Sequence, residues 1–195
     1  MAVITAAGMK LTMERIPKPS KDTFVANWYV IRVKTNDEEN VRNLLVRHGF
    51  ETKILTREFY RKKNGSVDIT SRMLFPGYLF VISEMEYREF DAFISTIKYK
   101  YGHYMINLKN DNEGTAALTE SEIRWIEKLT GSKDVVEKST GIIEGDRVII
   151  TEGPLFGLES NITYINRHKH IARLTMDFLG EEREVEVPLE IVSKR

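Results

Sequence analysis

Glu181, Glu182, Glu184 and Glu186 place four carboxylates within six residues, a density from which general acid–base chemistry could be built. Their alternation fits a solvated strand edge better, since strand side chains point to opposite faces in turn and charges commonly guard sheet edges. His168 and His170 share strand parity and so suggest a metal site. The chain holds no cysteine and offers them no third ligand, so no metal is expected. No nucleophile lies beside a base. Gly153-Pro154 lacks the Lys-Ser/Thr that ends the glycine-rich run of a phosphate-cradling loop, and no His-Glu metalloprotease spacing occurs. The chain is expected to be no enzyme and to need no cofactor.

Recognition chemistry is better represented. Arg57, Phe59, Arg61 and Lys63 alternate and therefore share one face of a strand, with Lys62 and Arg72 near them in sequence. Cationic groups can meet phosphates while an aromatic ring stacks an unpaired base for about 1–3 kcal/mol, so the patch suits nucleic acid. A solvated charged hairpin is the alternative. A second basic group, Arg167, His168, Lys169 and His170 with Arg173, occupies a turn between two strands and suits the phosphates and 2′-hydroxyls of an RNA hairpin. It too is compatible with a plain soluble turn.

These groups need elements to hold them. Residues 28–34 read as a strand, Asp37 as the cap of a helix carrying Val41, Leu44, Leu45 and His48, and Gly49 as its stop. Residues 51–59 form a second strand, Lys63-Asn64-Gly65-Ser66 a hairpin turn, and Val67 and Ile69 the return. Pro76-Gly77 breaks the pattern before Tyr78–Ile82, an apolar run suited to a strand buried on both faces. A helix over 86–97 with Phe90, Phe93, Ile94 and Ile97 in one stripe leads to a strand over 104–108. The order is β-α-β-β-α-β. Thr119 and Glu122 then form a capping box that opens a further helix ending at Gly131.

Residues 132–140 are polar and read as a linker. Beyond them, short β-rich runs at 148–151, 162–165, 171–176, 185–187 and 191–192 predict a small β-barrel. The fold class is therefore α+β: a flexible leader over 1–26, an N-terminal α/β domain over 27–131, the linker, and a barrel domain over 141–195. Met9 and Met13 within the leader could be alternative starts.

The 195 residues are 42% hydrophobic and 30% charged with net charge zero, which argues against a protein that coats polyanions indiscriminately. Residues 141–195 carry 7 basic against 10 acidic groups, so any nucleic-acid contact there must be local. No apolar run approaches the roughly 20 residues of a membrane span, and the N-terminus lacks the pattern of a secretory signal. A cytoplasmic location is expected.

Two signatures stand out: Phe75-Pro76-Gly77-Tyr78 running into Leu79-Phe80-Val81, and Gly145-Asp146-Arg147-Val148 leading to Gly153-Pro154-Leu155-Phe156-Gly157. With Trp28-Tyr29-Val30 ahead of them, in this order, the chain from about residue 27 to 195 resembles the NusG family of transcription elongation factors. The resemblance implies an N-terminal domain that binds the clamp helices of the RNA polymerase largest subunit, followed by a KOW β-barrel. It points to Trp28, Phe75, Pro76, Gly77 and Tyr78 as the polymerase-binding residues. Phe75 and Tyr78 are expected as exposed anchors, while Trp28 is mainly structural. Gly145, Asp146, Val148, Gly153, Pro154 and Gly157 match the KOW motif. The 57–72 hairpin would face single-stranded DNA at the upstream fork.

Where the family commonly has a Phe-Gly-Arg turn, this chain has Leu179-Gly180-Glu181. That turn is where housekeeping members meet termination factor Rho or a small-subunit ribosomal protein, so both partners are uncertain here. The chain is most similar to the specialised LoaP branch, which implies a monomeric antitermination factor recognising a leader RNA hairpin. A housekeeping elongation factor and a ribosome-associated KOW protein are the alternatives.

Overall fold

The computed structural model describes residues 26–63, 66–101, 105–106 and 116–194. Strand β1 (Asn27–Val33) and strand β5 (Tyr78–Ser83) pair antiparallel at the centre of the first sheet. Strand β2 (Glu51–Lys53) flanks β5, while β6 (Met105–Ile106) and β7 (Ala116–Ala117) share the other side of β1. Helix α1 (Glu38–Arg47) joins β1 to β2 and helix α2 (Tyr87–Tyr101) leads from β5 to β6, so the elements of the first sheet follow the expected β-α-β-β-α-β order, with two further strands inserted between β2 and β5. The 51–59 strand is instead two. Its second part, β3 (Thr56–Lys63), leaves the sheet and forms a ribbon with β4 (Ser66–Met73). The tip of that ribbon, Asn64-Gly65, lies outside the described residues, as do the leader through residue 25 and most of the 104–108 run.

The apolar continuity of β1 and β5 requires cover on both faces. Tyr29, Ile31, Val33, Leu79 and Val81 point one way and are buried with Val41 and Leu45 of α1 and Phe90, Ile94 and Ile97 of α2. Tyr29 stacks on Phe90 with ring centres 4.0 Å apart. Trp28, Val30 and Phe80 point the other way, toward helix α3 (Glu120–Thr130), which the predicted capping box opens: Glu122 N–H donates to Thr119, and Thr119 N–H donates back to the Glu122 carboxylate.

Residues 132–140, read as a linker, carry regular structure. After a 3-10 turn, Gly131–Lys133, strand β8 (Val135–Val136) pairs parallel with β3, and β9 begins at Ser139. Strand β9 (Ser139–Glu144) is absent from the elements that the sequence pattern predicts. It pairs with β10 (Arg147–Glu152), whereas β11 (Ile162–Asn166) pairs with β12 (Ile171–Phe178). The two short runs expected at 185–187 and 191–192 are one strand, β13 (Glu181–Lys194). Its first half pairs antiparallel with β12 and its second half parallel with β9. The C-terminal sheet thus runs β10-β9-β13-β12-β11, and its inner residues Leu174, Met176, Phe178, Val185, Val187 and Leu189 are buried in the same core as Trp28, Val30 and Phe80. The N-terminal and C-terminal halves share one apolar interior.

Candidate functional site

The Phe75–Tyr78 turn is fixed by its own residues. Tyr78 N–H donates to the Phe75 carbonyl at 3.2 Å, and Gly77 has φ +80°, which with Pro76 before it is the pattern of a type II turn. Gly77 N–H donates at 2.8 Å to Oε1 of Glu38, a fully buried carboxylate in the first turn of α1, and the Gly77 carbonyl accepts from Val33 N–H. A helix N-terminus favours negative charge, so α1 both holds Glu38 and uses it to orient the turn.

Phe75 is not the exposed anchor that the resemblance implies. It is only 6% accessible, because Phe178 of β12 stacks on it with ring centres 4.9 Å apart and planes 15° from parallel. Tyr78 is half-buried, edge-on to the same ring at 5.5 Å, and Phe80 and Trp28 complete the cluster; Trp28 is buried, in keeping with a structural role. Pro76 is exposed. The aromatic side chains prefer each other to water by the area they remove from it, and paired rings add about 0.5–1.5 kcal/mol. Leu179 and Gly180 close the β12–β13 hairpin at φ +57° and +75°, and Leu179 N–H donates at 2.6 Å to Oε1 of Glu122, the same carboxylate that caps α3. Sequence reasoning misses Phe178 as the cover of this turn, and it reads Glu122 as a helix cap without its bond to Leu179. The signal lies in an aromatic placed directly before a turn, two residues beyond the Met176 at which the β-rich run ends.

The ribbon separates the basic residues. Arg61 and Arg72 are exposed, and the Arg72 guanidinium lies 3.4 Å over the Phe59 ring, so the cation and the aromatic expected to act together do meet. The side chains of Lys62 and Lys63 lie outside the described residues. Arg57 departs from the exposed face expected of it: its side chain is 10% accessible and its Nη2 donates at 3.0 Å to Oε2 of Glu186 on β13. Burial, opposed by Glu186 and reinforced by neighbouring Arg72, lowers the Arg57 pKa from its ordinary value. Glu58 accepts from the Tyr60 hydroxyl and from Lys138 N–H, tying β3 to the segment leading into β9.

On the C-terminal sheet, Arg167, His168 and Lys169 are exposed in the β11–β12 turn, held by a bond from Lys169 N–H to Asn166 Oδ1. His170 is partly buried with φ +53°, so it ends a turn and does not continue a strand with His168. Among the described residues no group of three His, Asp or Glu could hold a metal ion. Arg173 is half-exposed and has acidic neighbours. It stands 5.1 Å from the Tyr164 ring, 3.7 Å from Glu186 and 3.8 Å from Glu184. Glu181, Glu182 and Glu184 are exposed on the half of β13 that pairs only with β12, as the solvated edge read from their alternation requires, while Glu181, Glu184 and Glu186 also pair with Arg183, Arg173 and Arg57.

The KOW-like residues are mainly structural. Gly145 and Asp146 turn β9 into β10, and Val148 packs inward. Gly153, at φ +97°, lies against Ser139, whose hydroxyl accepts from Leu155 N–H, and the Gly157 carbonyl accepts from Lys128 of α3. Pro154 is partly buried between them.

A family model described as transcription termination factor nusG matches residues 26–127. Relatives called transcription termination/antitermination protein NusG are similar along most of the chain. The one from Campylobacter jejuni is 23% identical over 176 residues, covering 86% of this chain and 96% of its own length. The one from Thermus thermophilus is 23% identical over 181 residues, with 86% and 97% covered, and the one from Streptococcus pyogenes 28% over 177, with 86% and 96%. The α/β sheet with its proline-glycine turn, the aromatic cluster beside it and the match over residues 26–127 lead to one conclusion: the chain belongs to the NusG family.

Proposed function

We propose that this protein is an operon-specific, non-catalytic antitermination factor that engages the RNA polymerase clamp through the aromatic surface around Phe75 and Tyr78. It reads nucleic acid through the β3–β4 ribbon and the 167–173 turn. The observation that carries the reading is the concentration of Trp28, Phe75, Tyr78 and Phe80 around a turn held rigid by Glu38. Such pre-ordered aromatics bury large area at low entropic cost and dominate protein interfaces. Phe178 lies on that surface, so engagement requires the β12–β13 hairpin to move off it. The Leu179-Gly180-Glu181 turn favours a specialised member, since Leu179 packs against the shared core and leaves no exposed aromatic at the turn tip.

The mechanism is a population shift. A factor that binds the elongating state of polymerase better than its paused state favours elongation by that difference in affinity alone. Two domains, 27–131 and 141–195, would divide the work, the first on polymerase and the second on a leader RNA hairpin. The test is transcription through an intrinsic terminator with and without the cognate leader, together with polymerase pull-down. Read-through that depends on the leader, and at least roughly tenfold weaker retention for Tyr78→Ser at an unchanged fold, are the expected results. Absence of read-through on every leader overturns the proposal, and read-through on all templates alike identifies a general elongation factor instead.

A further inference from the structure

Strand β4 is an open edge. It ends the three-stranded sheet β4-β3-β8, and Ser66, Asp68, Ile69, Thr70, Ser71 and Arg72 are all exposed. Unpaired N–H and C=O groups along such an edge are a template for another strand, and proteins usually guard them with lysine, proline or a bulge. Strand β4 has none of these. It reads Ser-Val-Asp-Ile-Thr-Ser-Arg-Met, and its register with β3 runs unbroken from Thr56 opposite Met73 to Lys63 opposite Ser66. Ile69, at its middle, leaves a large apolar side chain 55% accessible to water.

The hydrogen-bond pattern fixes which residues serve that edge. Leu74 N–H donates to the Leu55 carbonyl at 2.8 Å, one step beyond the Thr56–Met73 pair. Antiparallel ladders alternate, so Arg72, Thr70 and Asp68 turn their backbone groups toward β3, while Met73, Ser71, Ile69 and Val67 turn theirs to the open side. A second β4 laid antiparallel on this edge bonds through the same four residues. The two-fold axis relating the copies therefore passes through a residue and not between two.

Charge selects which residue. Asp68 and Arg72 are the charged residues of β4, they flank Thr70 symmetrically, and neither makes an ion pair with another described residue. An axis at Thr70 sets Asp68 of each copy opposite Arg72 of the other. An axis at Ile69 or Ser71 sets both charges opposite neutral residues, and one at Asp68 or Arg72 sets like charges together, which is unfavourable. With the axis at Thr70, the two Thr70 side chains meet in a non-hydrogen-bonded pair, where strands approach most closely, and each Ile69 gains Ile69 of the second copy on its diagonal. Arg72 is prepared for this role. Its guanidinium is stacked 3.4 Å over the Phe59 ring, which holds the plane and leaves the N–H edge for a carboxylate.

We propose that β4 joins two copies of this chain into a dimer, by antiparallel β4–β4 pairing centred on Thr70 with Asp68 of each copy against Arg72 of the other. The family resemblance implies a monomer, and the inference stands independently of the function proposed above. The joined ribbons form one sheet with Phe59 and Arg61 of both copies on the same face. A single strand pair makes a small interface, so the expected Kd is on the order of 100 μM.

Sedimentation equilibrium of the full chain, from about 5 μM to about 1 mM, is the test. The wild-type chain is expected to pass from monomer to dimer across that range. Asp68→Arg and Arg72→Asp should each self-associate at least roughly tenfold more weakly, and an equimolar mixture of the two should regain the wild-type association, since opposite charges again face each other in the mixed pair. That recovery also controls for folding. The chain lacks cysteine, so Thr70→Cys introduces a lone thiol; mild oxidation should link it into a disulfide dimer, and Ile69→Cys, diagonal to its copy, should link far less. A wild-type chain that stays monomeric throughout overturns the proposal. So does a dimer that both charge variants leave unchanged, a mixture that does not recover, or equal linking at the two cysteine positions.

Discussion

Gly153 and Gly145 have the same backbone requirement and opposite surroundings. Both adopt positive φ, but a Cβ on Gly153 would lie 2.6 Å from Ser139 Cα and 2.7 Å from its Oγ, whereas one on Gly145 meets nothing within 4 Å. Gly145→Ala therefore carries only the left-handed backbone penalty, about 1 kcal/mol. Gly153→Ala adds a clash with backbone that cannot rotate away and is expected to cost about 2–4 kcal/mol. Urea denaturation of the two variants checks the order: the midpoint for Gly153→Ala falls clearly below that for Gly145→Ala. The glycines of the Gly-Pro signature are legible in the sequence as turn formers. That one of them is a packing glycine is not, because its neighbour Ser139 lies in a segment whose composition is that of a polar linker.

Among the elements, β3 is the one whose role changes most between sequence and structure. Its basic residues and its pairing with β4 follow from alternation and from the Asn-Gly turn signal, both local properties. Its parallel pairing with β8 and its contact with β13 are not local, and they bury Arg57 and engage Glu58. Tyr60 records this environment. Burial, then its hydrogen bond to Glu58, raises its pKa well above the ordinary phenol value. A proton held more tightly in the folded chain contributes stability in full below the unfolded phenol value of about 10 and is lost as pH rises through the folded one. Thermal stability should thus decline above about pH 10, and Tyr60→Phe should flatten that decline. The same variant loses one hydrogen bond, about 1 kcal/mol near neutral pH, measurable as a lower melting temperature.

At the scale of the molecule, the decisive fact is that one apolar interior runs from Trp28 and Phe80 to Phe178 and Val187. Phe178 touches three aromatic rings of the N-terminal half, so Phe178→Ala deletes the largest single contribution from the C-terminal side. The loss is expected at about 3–5 kcal/mol by chemical denaturation. Polymerase retention by the surviving folded protein should rise several-fold, since Phe75 and Tyr78 lose their cover. Retention at the wild-type level would show that the aromatic surface is not the polymerase contact. No helix among the described residues is long and apolar enough to cross a membrane.

The sequence by itself determined many of the parts: the strands at 28–34, 78–82 and 171–176, the capping box at Thr119 and Glu122, the turn at Pro76-Gly77, and the two signatures that mark the family. Each rests on interactions within a few residues, where spacing and backbone preference suffice. Tertiary structure alone decided exposure. An apolar strand such as Tyr78–Ser83 announces that both its faces must be covered, and nothing in its own residues names the cover. Phe75 and Arg57 have the composition of contact residues, and from sequence both look available. Phe178 and Glu186, far along the chain, hold them instead, because burying a ring or neutralising a guanidinium depends on what chain closure brings near and not on what lies adjacent in sequence.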